Sequence, residues 1–295
     1  MSEEVLISCI IPASTKDAES QNLKDLIVSI KSQDFPQDKI EILVITEGDS
    51  EQAKAIGIRR AKGKICAMFC ADNIIIDDQL FKQVYDNIFK LNVSGVYTRF
   101  YAVFSDDNSL NRYFSLIGGN DPVCYYLGKN DREPHVKELI RSTKYPPSFG
   151  CNGFFYRSEL IKATDLNHYY PMDNAREVGG VFTGIPSQAI WHRTSDNLFT
   201  FLKKRYRYAR DLYCERLDRR WKIIDTQQDK FRLLLFVLST VTVIPCLVIS
   251  IKGFIKIRDI AWFYHFPVCL GFLITYGFLA ARNLFKFGNL FQRRY

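Results

Sequence analysis

The chain has 295 residues, 47% of them hydrophobic, and a net charge of +8. That charge is unevenly placed: residues 201–295 contain 18 Lys and Arg against 6 Asp and Glu, whereas residues 1–200 contain 22 against 26. A basic, aromatic and apolar end indicates contact with an anionic membrane surface. It argues against nucleic acid as a partner, because a DNA-binding protein usually spreads positive charge over its soluble domain.

The N-terminus and the cysteines indicate the compartment. The sequence MSEEVLISCIIP is acidic, and its apolar run from Val5 to Ile11 is too short for a secretory signal, so the body of the chain is expected in the cytosol. The eight cysteines include no Cys-x-x-Cys pair, and Cys66 and Cys70 have no His close by in the sequence. We therefore expect reduced thiols, with neither a zinc site nor a disulfide framework.

The first 70 residues alternate between short apolar runs and helical patterns. This alternation predicts a β-α-β-α-β unit with a parallel sheet and right-handed crossovers. Pro12 ends the first strand. The predicted strands are Leu6–Ile11, Ile40–Ile45 and Ile65–Phe69, and the predicted helices are Leu23–Gln33 and Ala53–Ala61.

Polar residues follow the second and third strands. Thr46 to Ser50 come after the second strand, and Asp72 and Asn73 come after the third. In open α/β sheets ligands bind at the carboxyl ends of the strands, so Asp72 is well placed to hold a metal and a phosphate. An Asp-Asn turn that only ends the strand explains the same residues equally well.

The middle of the chain is less regular. A helix is predicted to begin near Asp77 or Asp78 and to present an apolar face from Leu80 to Phe89, and a further strand is predicted over Gly95–Phe104. The segment Asn111–Pro147 is rich in Gly and Pro, which predicts a long, partly irregular excursion. A glycine-rich turn, a short strand and a helix are expected within Gly150–Ile161.

From Leu198 onward a helical pattern combines an apolar face with many basic residues. Such a helix is typical of a segment that lies on a membrane surface, and a core-packed helix with a solvated basic face is the alternative. The apolar face comprises Leu202, Tyr206, Ala209, Tyr213, Leu217, Trp221 and Ile224, and the basic residues are Lys203, Lys204, Arg205, Arg207, Arg210, Arg216, Arg219 and Arg220.

Two apolar runs, Phe231–Ile251 and Ile260–Ala281, are each close to the roughly 20 residues that cross a bilayer. The turn Lys252–Asp259 is too short for a domain, so a transmembrane hairpin is expected. More basic residues precede the first run and follow the second than lie in the turn, which predicts a cytosolic body and C-terminus. Pro245 and Pro267 are the expected kink positions. A shallow hairpin that does not fully cross is the alternative.

The order of these segments is similar to that of a known family. The succession ISCIIP, EILVITEGDS, a helix and RRAKGKICAMFCADN resembles the nucleotide-sugar half of family-2 GT-A glycosyltransferases, over about residues 5–210. The resemblance implies an α/β fold with a Rossmann-like, mostly parallel sheet in a catalytic domain over residues 1–197. The basic amphipathic membrane-interface helix would then occupy residues 198–230, and the two-helix transmembrane hairpin with the C-terminal tail would occupy residues 231–295.

The resemblance also implies an activity, namely inverting, metal-dependent transfer of a sugar from a UDP- or GDP-type nucleotide-sugar donor. The acceptor would be a polyprenyl-linked or growing glycan on the cytosolic face of the membrane, with membrane lipid as a further partner. The alternative is a catalytically inactive relative that binds a nucleotide or tethers partners at the membrane. Departures from the family pattern at Glu47 and Cys70 motivate this alternative.

For the donor site, the resemblance implies an acidic residue that contacts the base. Either Glu47 or Asp49 is similar to it, because the family's Asp-Asp-Gly-Ser appears here as Thr-Glu-Gly-Asp-Ser. Arg59 or Arg60 is similar to the family's basic residue near the base and phosphates, and a solvated helix charge is the alternative for each. Pro12, at the end of the first strand, is also assigned to the donor site by this resemblance.

The family's Asp-x-Asp metal motif appears as Cys70-Ala71-Asp72, so its second carboxylate alone is kept. By the resemblance, Asp72 ligates a Mg²⁺ or Mn²⁺ ion that bridges the donor diphosphate and stabilises the leaving group. His192 is similar to a histidine that joins the metal in many GT-A domains. A structural histidine is the alternative.

An inverting transfer to a hydroxyl needs a general base, and Asp173 lies where the resemblance implies one, with Glu177 in reserve. A helix cap is the alternative role of Asp173. Gly150, Asn152 and Gly153 are similar to a segment whose backbone approaches the sugar or acceptor closely, and a tight hairpin turn is the alternative.

Three basic residues of the predicted interface helix suggest the acceptor. Lys203, Arg205 and Arg207 would attract the phosphate of a lipid carrier at the membrane surface. A phosphate acceptor is already anionic and needs no general base. The sequence therefore favours a lipid-linked phosphate or diphosphate acceptor.

Overall fold

The structure, a computed structural model, describes residues 4–15, 17–98, 101–128, 140–142, 153–185, 189–211, 224 and 226–292, and of residues 140–142, 172 and 284–292 it describes the backbone alone. The chain divides into two compact units. The first unit comprises Met1–Val103 and Asn130–Arg193, and the second comprises Phe104–Lys129 and Thr194–Tyr295.

Strands and α-helices of the described residues are numbered in chain order. The strands are β1 (Ile7–Pro12), β2 (Ile40–Ile45), β3 (Ile65–Met68), β4 (Asn73–Ile75), β5 (Gly95–Thr98), β6 (Ile140–Ser142), β7 (Phe154–Arg157), β8 (Phe182–Ile185) and β9 (Ile190–His192). The helices are α1 (Gln21–Lys31), α2 (Ser50–Arg60), α3 (Leu80–Lys90), α4 (Ser109–Leu116), α5 (Pro122–Leu127), α6 (Ser158–Lys162), α7 (Pro171–Val178), α8 (Leu198–Ala209), α9 (Gln227–Thr242), α10 (Ile244–Lys256) and α11 (His265–Gln292).

The first unit is built on a mostly parallel sheet, in the strand order β2-β1-β3-β7-β5-β8-β6. β1 pairs in parallel with β2 and β3, and β5 pairs in parallel with β8, while β7 lies antiparallel between β3 and β5. Five strands therefore run in one direction and end at one edge of the sheet. β1, β2 and β3 form the parallel unit that the alternation of the first 70 residues predicts, and the antiparallel β7 pairs with β3 beside it.

Helices cover both faces of this sheet because alternate side chains of each strand point to opposite faces. Ile7, Cys9 and Ile11 pack with the apolar residues of α1 and α3, whereas Ile10 packs with those of α2 and α6. Cys66 is buried in β3, and this burial raises the pKa of its thiol to about 11. The six cysteines among the described residues form no disulfide.

Two elements in the middle of the chain differ from the sequence prediction. The strand expected over Gly95–Phe104 ends at Thr98. The expected irregular excursion contains α4 and α5, both in the second unit. Two residues that suggest a loop in the sequence instead cap α5. Asp121 accepts a hydrogen bond from the Val123 amide at 2.9 Å at the start of the helix, and Gly128 ends it with a positive φ of 71°.

The second unit packs α4 and α5 with the C-terminal helices. Tyr126 of α5 contacts Phe236 of α9 edge to face, with ring centroids 5.3 Å apart. Arg112 of α4 donates from Nε to Asp259 Oδ2 at 3.1 Å, in the segment that precedes α11. The ring of Phe201 in α8 lies tilted against that of Phe272 in α11, with centroids 5.9 Å apart. The basic helix expected from Leu198 is described as far as Ala209.

Of the two expected spans, the second corresponds to one helical segment, Ile260–Asn283, which is long and apolar enough to cross a membrane. The first is broken: α9 and α10 meet at an angle of 93° and would count as a second span only if the bent pair crosses as one. The break lies at Val243, two residues before Pro245, whereas Pro267 lies within the first turn of α11. The expected two-span hairpin is therefore not established.

Val243 carries the bend in an unusual backbone conformation, with a φ of +65° that a β-branched residue rarely adopts. Val243→Gly is expected to leave the melting temperature of the detergent-solubilised chain unchanged or to raise it. Glycine adopts positive φ without the steric cost of a Cβ, which is about 1–2 kcal/mol. Thermal unfolding followed by circular dichroism measures the effect.

The matched control is Val248→Gly, in the interior of α10, which is expected to cost about 1 kcal/mol because glycine weakens a helix. Equal destabilisation by the two substitutions would show that Val243 lies in an ordinary helix, without the bend.

Candidate active site

The carboxyl ends of three parallel strands meet at one edge of the sheet in the first unit. Hydrogen bonds between the segments that leave the strands hold this edge together: the Ala13 amide donates to the Ile45 carbonyl at 3.0 Å, and the Phe69 amide donates to the Ile10 carbonyl at 3.1 Å. Pro12, the last residue of β1, therefore lies beside the end of β2, next to the segment that holds Glu47.

Gly153 joins the same edge from the antiparallel strand β7. Its amide donates to the Met68 carbonyl at 3.1 Å, and its carbonyl accepts from the Thr98 amide at 3.0 Å. Its φ is +68°, and a Cβ at this position would lie 2.3 Å from Thr98 Oγ1, so glycine is required here. The structure thus gives Gly153 the role of a close backbone approach between two strands, while Asn152 lies outside the described residues.

Asp72 and His192 are brought together by a small second sheet. β4 pairs antiparallel with β9, and this register places Asn73 opposite His192. His192 Nε2 lies 3.3 Å from Asp72 Oδ1, and the Arg193 amide donates to the Asp72 carbonyl at 3.0 Å. A residue from the end of β3 and one from 120 positions later in the chain thus form a single carboxylate–imidazole pair at the carboxyl edge of the sheet.

Neighbouring groups fix both members of this pair. Asn73 is fully buried, and its Oδ1 accepts from the Cys70 amide at 2.8 Å, which shapes the turn that carries Asp72. The Tyr101 ring lies 5.3 Å from the His192 ring, between centroids. His192 is buried, whereas the side chain of Asp72 is about one-third exposed, at 32%. The pair is therefore enclosed on the imidazole side, where Asp72 Oδ1 is also buried, whereas the rest of the Asp72 side chain reaches solvent.

The donor set of this pair fits a divalent cation that takes both oxygen and nitrogen ligands. Ligands in adjacent positions of an octahedral ion with bonds of about 2.1 Å lie roughly 3 Å apart. The 3.3 Å between Asp72 Oδ1 and His192 Nε2 is close to that value. One carboxylate and one imidazole leave the remaining positions of such an ion for water or phosphate oxygens.

Arg193 supports the site from outside and was not singled out from the sequence. Its Nη1 donates to Asn22 Oδ1 at 2.9 Å and to Asp25 Oδ2 at 3.0 Å, both on α1. Its guanidinium lies 4.5 Å from the centroid of the Trp191 ring. These contacts hold the end of β9 against α1, and the adjacent Trp-His-Arg in the sequence is the signal that could have suggested it.

Glu47 and Arg60 form a second charged pair after β2. Arg60 donates from Nη1 and Nη2 to the two carboxylate oxygens of Glu47, at 2.7 and 2.9 Å. These hydrogen bonds hold the pKa of the Glu47 carboxyl below its usual value. Both side chains are about half exposed, so the pair is accessible to a ligand at this edge.

The neighbouring candidates Asp49 and Arg59 have structural roles. Asp49 is the N-cap of α2: its carboxylate accepts from the amides of Glu51 and Gln52, and the Gln52 side chain accepts from the Asp49 amide. Arg59 donates from Nη1 to the Leu166 carbonyl. Of the two alternatives at each position, Glu47 and Arg60 are therefore the better placed for a ligand.

Glu47→Gln is expected to raise the Kd for UDP or GDP roughly tenfold, because it removes the charge that a base or ribose would contact. The melting temperature should not change, since the pair is exposed. Isothermal titration calorimetry with each nucleotide measures the Kd. Asp38→Asn, at the amino end of β2, is the matched control, and an equal effect of the two substitutions would remove Glu47 from the donor site.

The proposed general bases lie on the sheet face that carries α2. Asp173 is buried in the first turn of α7, where Tyr170 rather than Asp173 is the N-cap residue. Glu177 Oε2 accepts from the Asp165 amide at 3.2 Å, so this side chain orders the loop before α7.

The three basic residues of α8 belong to the second unit and differ in their surroundings. Lys203 and Arg207 are exposed. Arg205 is mostly buried, with its Nη2 on Asp121 Oδ2 and its Nε donating to the Tyr276 hydroxyl at 2.8 Å. Arg205 is therefore committed to an internal ion pair, and this corrects its assignment to a phosphate-attracting surface.

No protein-family model and no curated protein matches the sequence. Among solved structures, the mannosyltransferase PcManGT from Pyrobaculum calidifontis, in complex with GDP-Man and Mn²⁺, aligns with a TM-score of 0.52 and 12% identity, over 95% of this chain and 87% of that chain. TarS from S. aureus, in complex with UDP-GlcNAc, aligns with a TM-score of 0.41 and 12% identity, over 79% and 72%. The first of these likenesses shows that the chain shares its fold with a glycosyltransferase.

Proposed function

We propose that the chain is a glycosyltransferase that moves a sugar from a UDP- or GDP-type nucleotide sugar to an acceptor at a membrane. The observation that carries the proposal is the Asp72–His192 pair, 3.3 Å apart at the carboxyl edge of a mostly parallel sheet. This is the edge where α/β sheets bind ligands. A mannosyltransferase of similar fold holds GDP-Man with Mn²⁺, which supports a nucleotide-sugar donor.

In this proposal, Asp72 and His192 hold Mg²⁺ or Mn²⁺. A bound divalent ion would neutralise the charge that develops on the diphosphate leaving group. The nitrogen ligand favours Mn²⁺, because Mg²⁺ takes oxygen ligands almost exclusively. Asn73 and Tyr101 keep the two side chains in place, so that the site is organised before the donor arrives.

The remaining residues of the edge position the donor. Glu47 accepts hydrogen bonds from the base or ribose, and Arg60, which Glu47 orients, faces the phosphates. Gly153 lets the segment before β7 pack closely against Thr98, which keeps the backbone of this edge in place. Pro12 shapes the end of β1 beside the base.

The second unit attaches the enzyme to the membrane. Ile260–Asn283 is the span that supports this part of the proposal, and the bent pair α9–α10 is a re-entrant or broken span. The excess of Lys and Arg in residues 201–295 supports a cytosolic orientation of the catalytic unit.

Lys203 and Arg207, exposed on α8, are the cations that remain for a lipid-linked phosphate acceptor. With such an acceptor, Asp173→Asn is expected to lower transfer less than about tenfold, because an anionic phosphate oxygen needs no general base. A hydroxyl acceptor would instead lose roughly 10²- to 10⁴-fold in turnover. Transfer assays with polyprenyl phosphate and with a glycan acceptor, each normalised to donor hydrolysis, decide between the two.

A second candidate function is nucleotide binding without catalysis. The observation that favours it is Cys70, half-buried two residues before Asp72, where the family motif has its first carboxylate. Release of UDP or GDP from a panel of nucleotide sugars, with Mn²⁺ and no acceptor, separates the two functions. Slow release from one donor supports the transferase. Binding of the nucleotide without any release supports the inactive relative.

A further inference from the structure

Three potential ligands of a soft metal ion meet inside the second unit. Cys246 of α10, and His265 and Cys269 of α11, have side chains that are fully buried. Their ligand atoms all lie within 4.8 Å of one another, and Cys269 Sγ lies 3.7 Å from His265 Nε2. His265 and Cys269 are four residues apart on one helix, so they share a face, and Cys246 approaches them from the neighbouring helix.

Two tyrosines complete the surroundings of the imidazole. The Tyr126 hydroxyl lies 3.3 Å from His265 Nε2 and 3.5 Å from Cys246 Sγ. Its oxygen is therefore a fourth potential metal ligand beside the two sulfurs and the imidazole nitrogen. The Tyr113 hydroxyl lies 2.8 Å from His265 Nδ1. A proton on Nδ1, donated to Tyr113, leaves the lone pair of Nε2 directed toward the sulfur atoms, and metal-bound histidines are held in this way.

We propose that Cys246, His265 and Cys269 bind a Zn²⁺ ion, with the Tyr126 hydroxyl oxygen as the fourth ligand. In a tetrahedral zinc site, sulfur and nitrogen ligands at about 2.3 and 2.0 Å from the metal lie roughly 3.6 Å apart. The observed 3.7 Å between Cys269 Sγ and His265 Nε2 matches this separation. On binding, the two thiols lose their protons to solvent and become the thiolates that zinc prefers.

Charge favours this ion in this place. Two thiolates neutralise the double charge of Zn²⁺, and a neutral imidazole and a neutral phenol add none, so the complex carries no net charge into a buried, apolar surrounding. Mg²⁺ and Ca²⁺, which take oxygen ligands, do not match two sulfurs and a nitrogen. The site therefore differs in chemistry from the Asp72–His192 pair and does not depend on the proposed transferase activity.

The role of the ion is structural. With all four positions filled by protein, the site leaves no open position for a substrate. It connects α5, the start of α10 just after the bend at Val243, and the first turns of α11, which are distant in sequence. The sequence predicts no zinc site because these ligands are far apart in the chain and converge only in the fold.

Metal titration of the full chain in detergent, reduced and stripped with chelator, tests the proposal. We expect one Co²⁺ per chain to give the intense visible bands of tetrahedral cobalt with a thiolate charge-transfer band, and Zn²⁺ to displace it. Asp72→Asn should retain these bands. The absence of these bands in the folded wild-type chain would overturn the proposal without recourse to any variant.

Variants then assign the ligands. Cys246→Ser and Cys269→Ser should each abolish the thiolate bands or weaken cobalt binding at least tenfold, whereas Cys124→Ser, a buried cysteine of the same unit, should retain both. Unchanged cobalt spectra in the double variant of Cys246 and Cys269 would also overturn the assignment. Bound metal after purification, measured by mass spectrometry, should be zinc at one per chain.

Discussion

Asp72→Asn is expected to lower Mn²⁺-dependent donor hydrolysis and transfer roughly 10²- to 10³-fold, because in the proposed site the amide removes the negative charge that would hold the cation at the diphosphate. The fold should survive. The side chain of Asp72 is about one-third exposed, and the turn that carries it is fixed by Asn73 and by the Arg193 amide, which donates to the Asp72 backbone carbonyl. Initial rates at saturating donor, measured across Mn²⁺ concentrations, give the effect.

Asp78→Asn is the matched control for this substitution. Asp78 is an exposed carboxylate six residues further along, outside the β4–β9 ladder. Its loss should leave the rate within twofold, as is ordinary for surface substitutions. Asp72→Asn with the activity of Asp78→Asn would mean that Asp72 is only the turn residue at the end of β3.

Arg205→Ala is expected to destabilise the chain by about 3 kcal/mol, because it leaves the buried carboxylate of Asp121 without its cation. The two side chains are 12% and 8% exposed, so water cannot replace the guanidinium well. The Tyr276 hydroxyl, which donates to Asp121 Oδ2 at 2.8 Å, keeps part of the stabilisation. Denaturant unfolding of the detergent-solubilised chain measures the change in the free energy of unfolding.

Arg207→Ala, two residues away and exposed, is the control and should change the free energy of unfolding by no more than about 0.5 kcal/mol. Arg207→Ala should instead raise the KM for a polyprenyl phosphate acceptor. If Arg205→Ala proved as stable as Arg207→Ala, then Arg205 would be a surface cation, as the sequence predicted, and its pairing with Asp121 would be wrong.

The start of the fold could be predicted because its signals are local. Apolar runs of five or six residues, ended by Pro12 or by polar segments, give β1, β2 and β3 nearly at their observed bounds. β1 and β3 are buried on both faces, so hydrophobicity alone marks them, and β2 is an edge strand that is only partly buried. The position of Asp72 at the edge of the sheet then follows from the direction of the strands.

Other parts depend on contacts that no local pattern encodes. The sequence predicts an irregular segment around Asp121, Pro122 and Gly128, yet these residues begin and end α5, whose stability comes from packing in the second unit. The bend at Val243 lies within a continuous apolar run, where hydropathy predicts an unbroken helix. Pro245 predicts a kink in this region but does not show that the backbone bends at Val243.

In the candidate site, too, some residues can be predicted from local sequence and others depend on contacts between distant segments. Asp72 could be chosen from its place after a strand, but only the resemblance suggested His192, and only the antiparallel ladder of β4 and β9 explains why the two meet. The supporting role of Arg193 cannot be predicted from the sequence, because its hydrogen-bond partners Asn22 and Asp25 lie far away in the chain, on α1. Asp49 and Arg59 looked like ligands from the sequence because a helix cap and a donor site use the same residue types.

Electron spin-echo spectroscopy of Mn²⁺ bound to the full chain with UDP or GDP tests the site most directly. Binding by Asp72 and His192 predicts nitrogen modulation from one imidazole together with phosphorus coupling from the nucleotide. His192→Ala should lose the nitrogen modulation, and Asp72→Asn should weaken Mn²⁺ binding. Mn²⁺ that shows phosphorus coupling but no nitrogen modulation in the wild-type chain, and that binds Asp72→Asn equally well, would contradict the account.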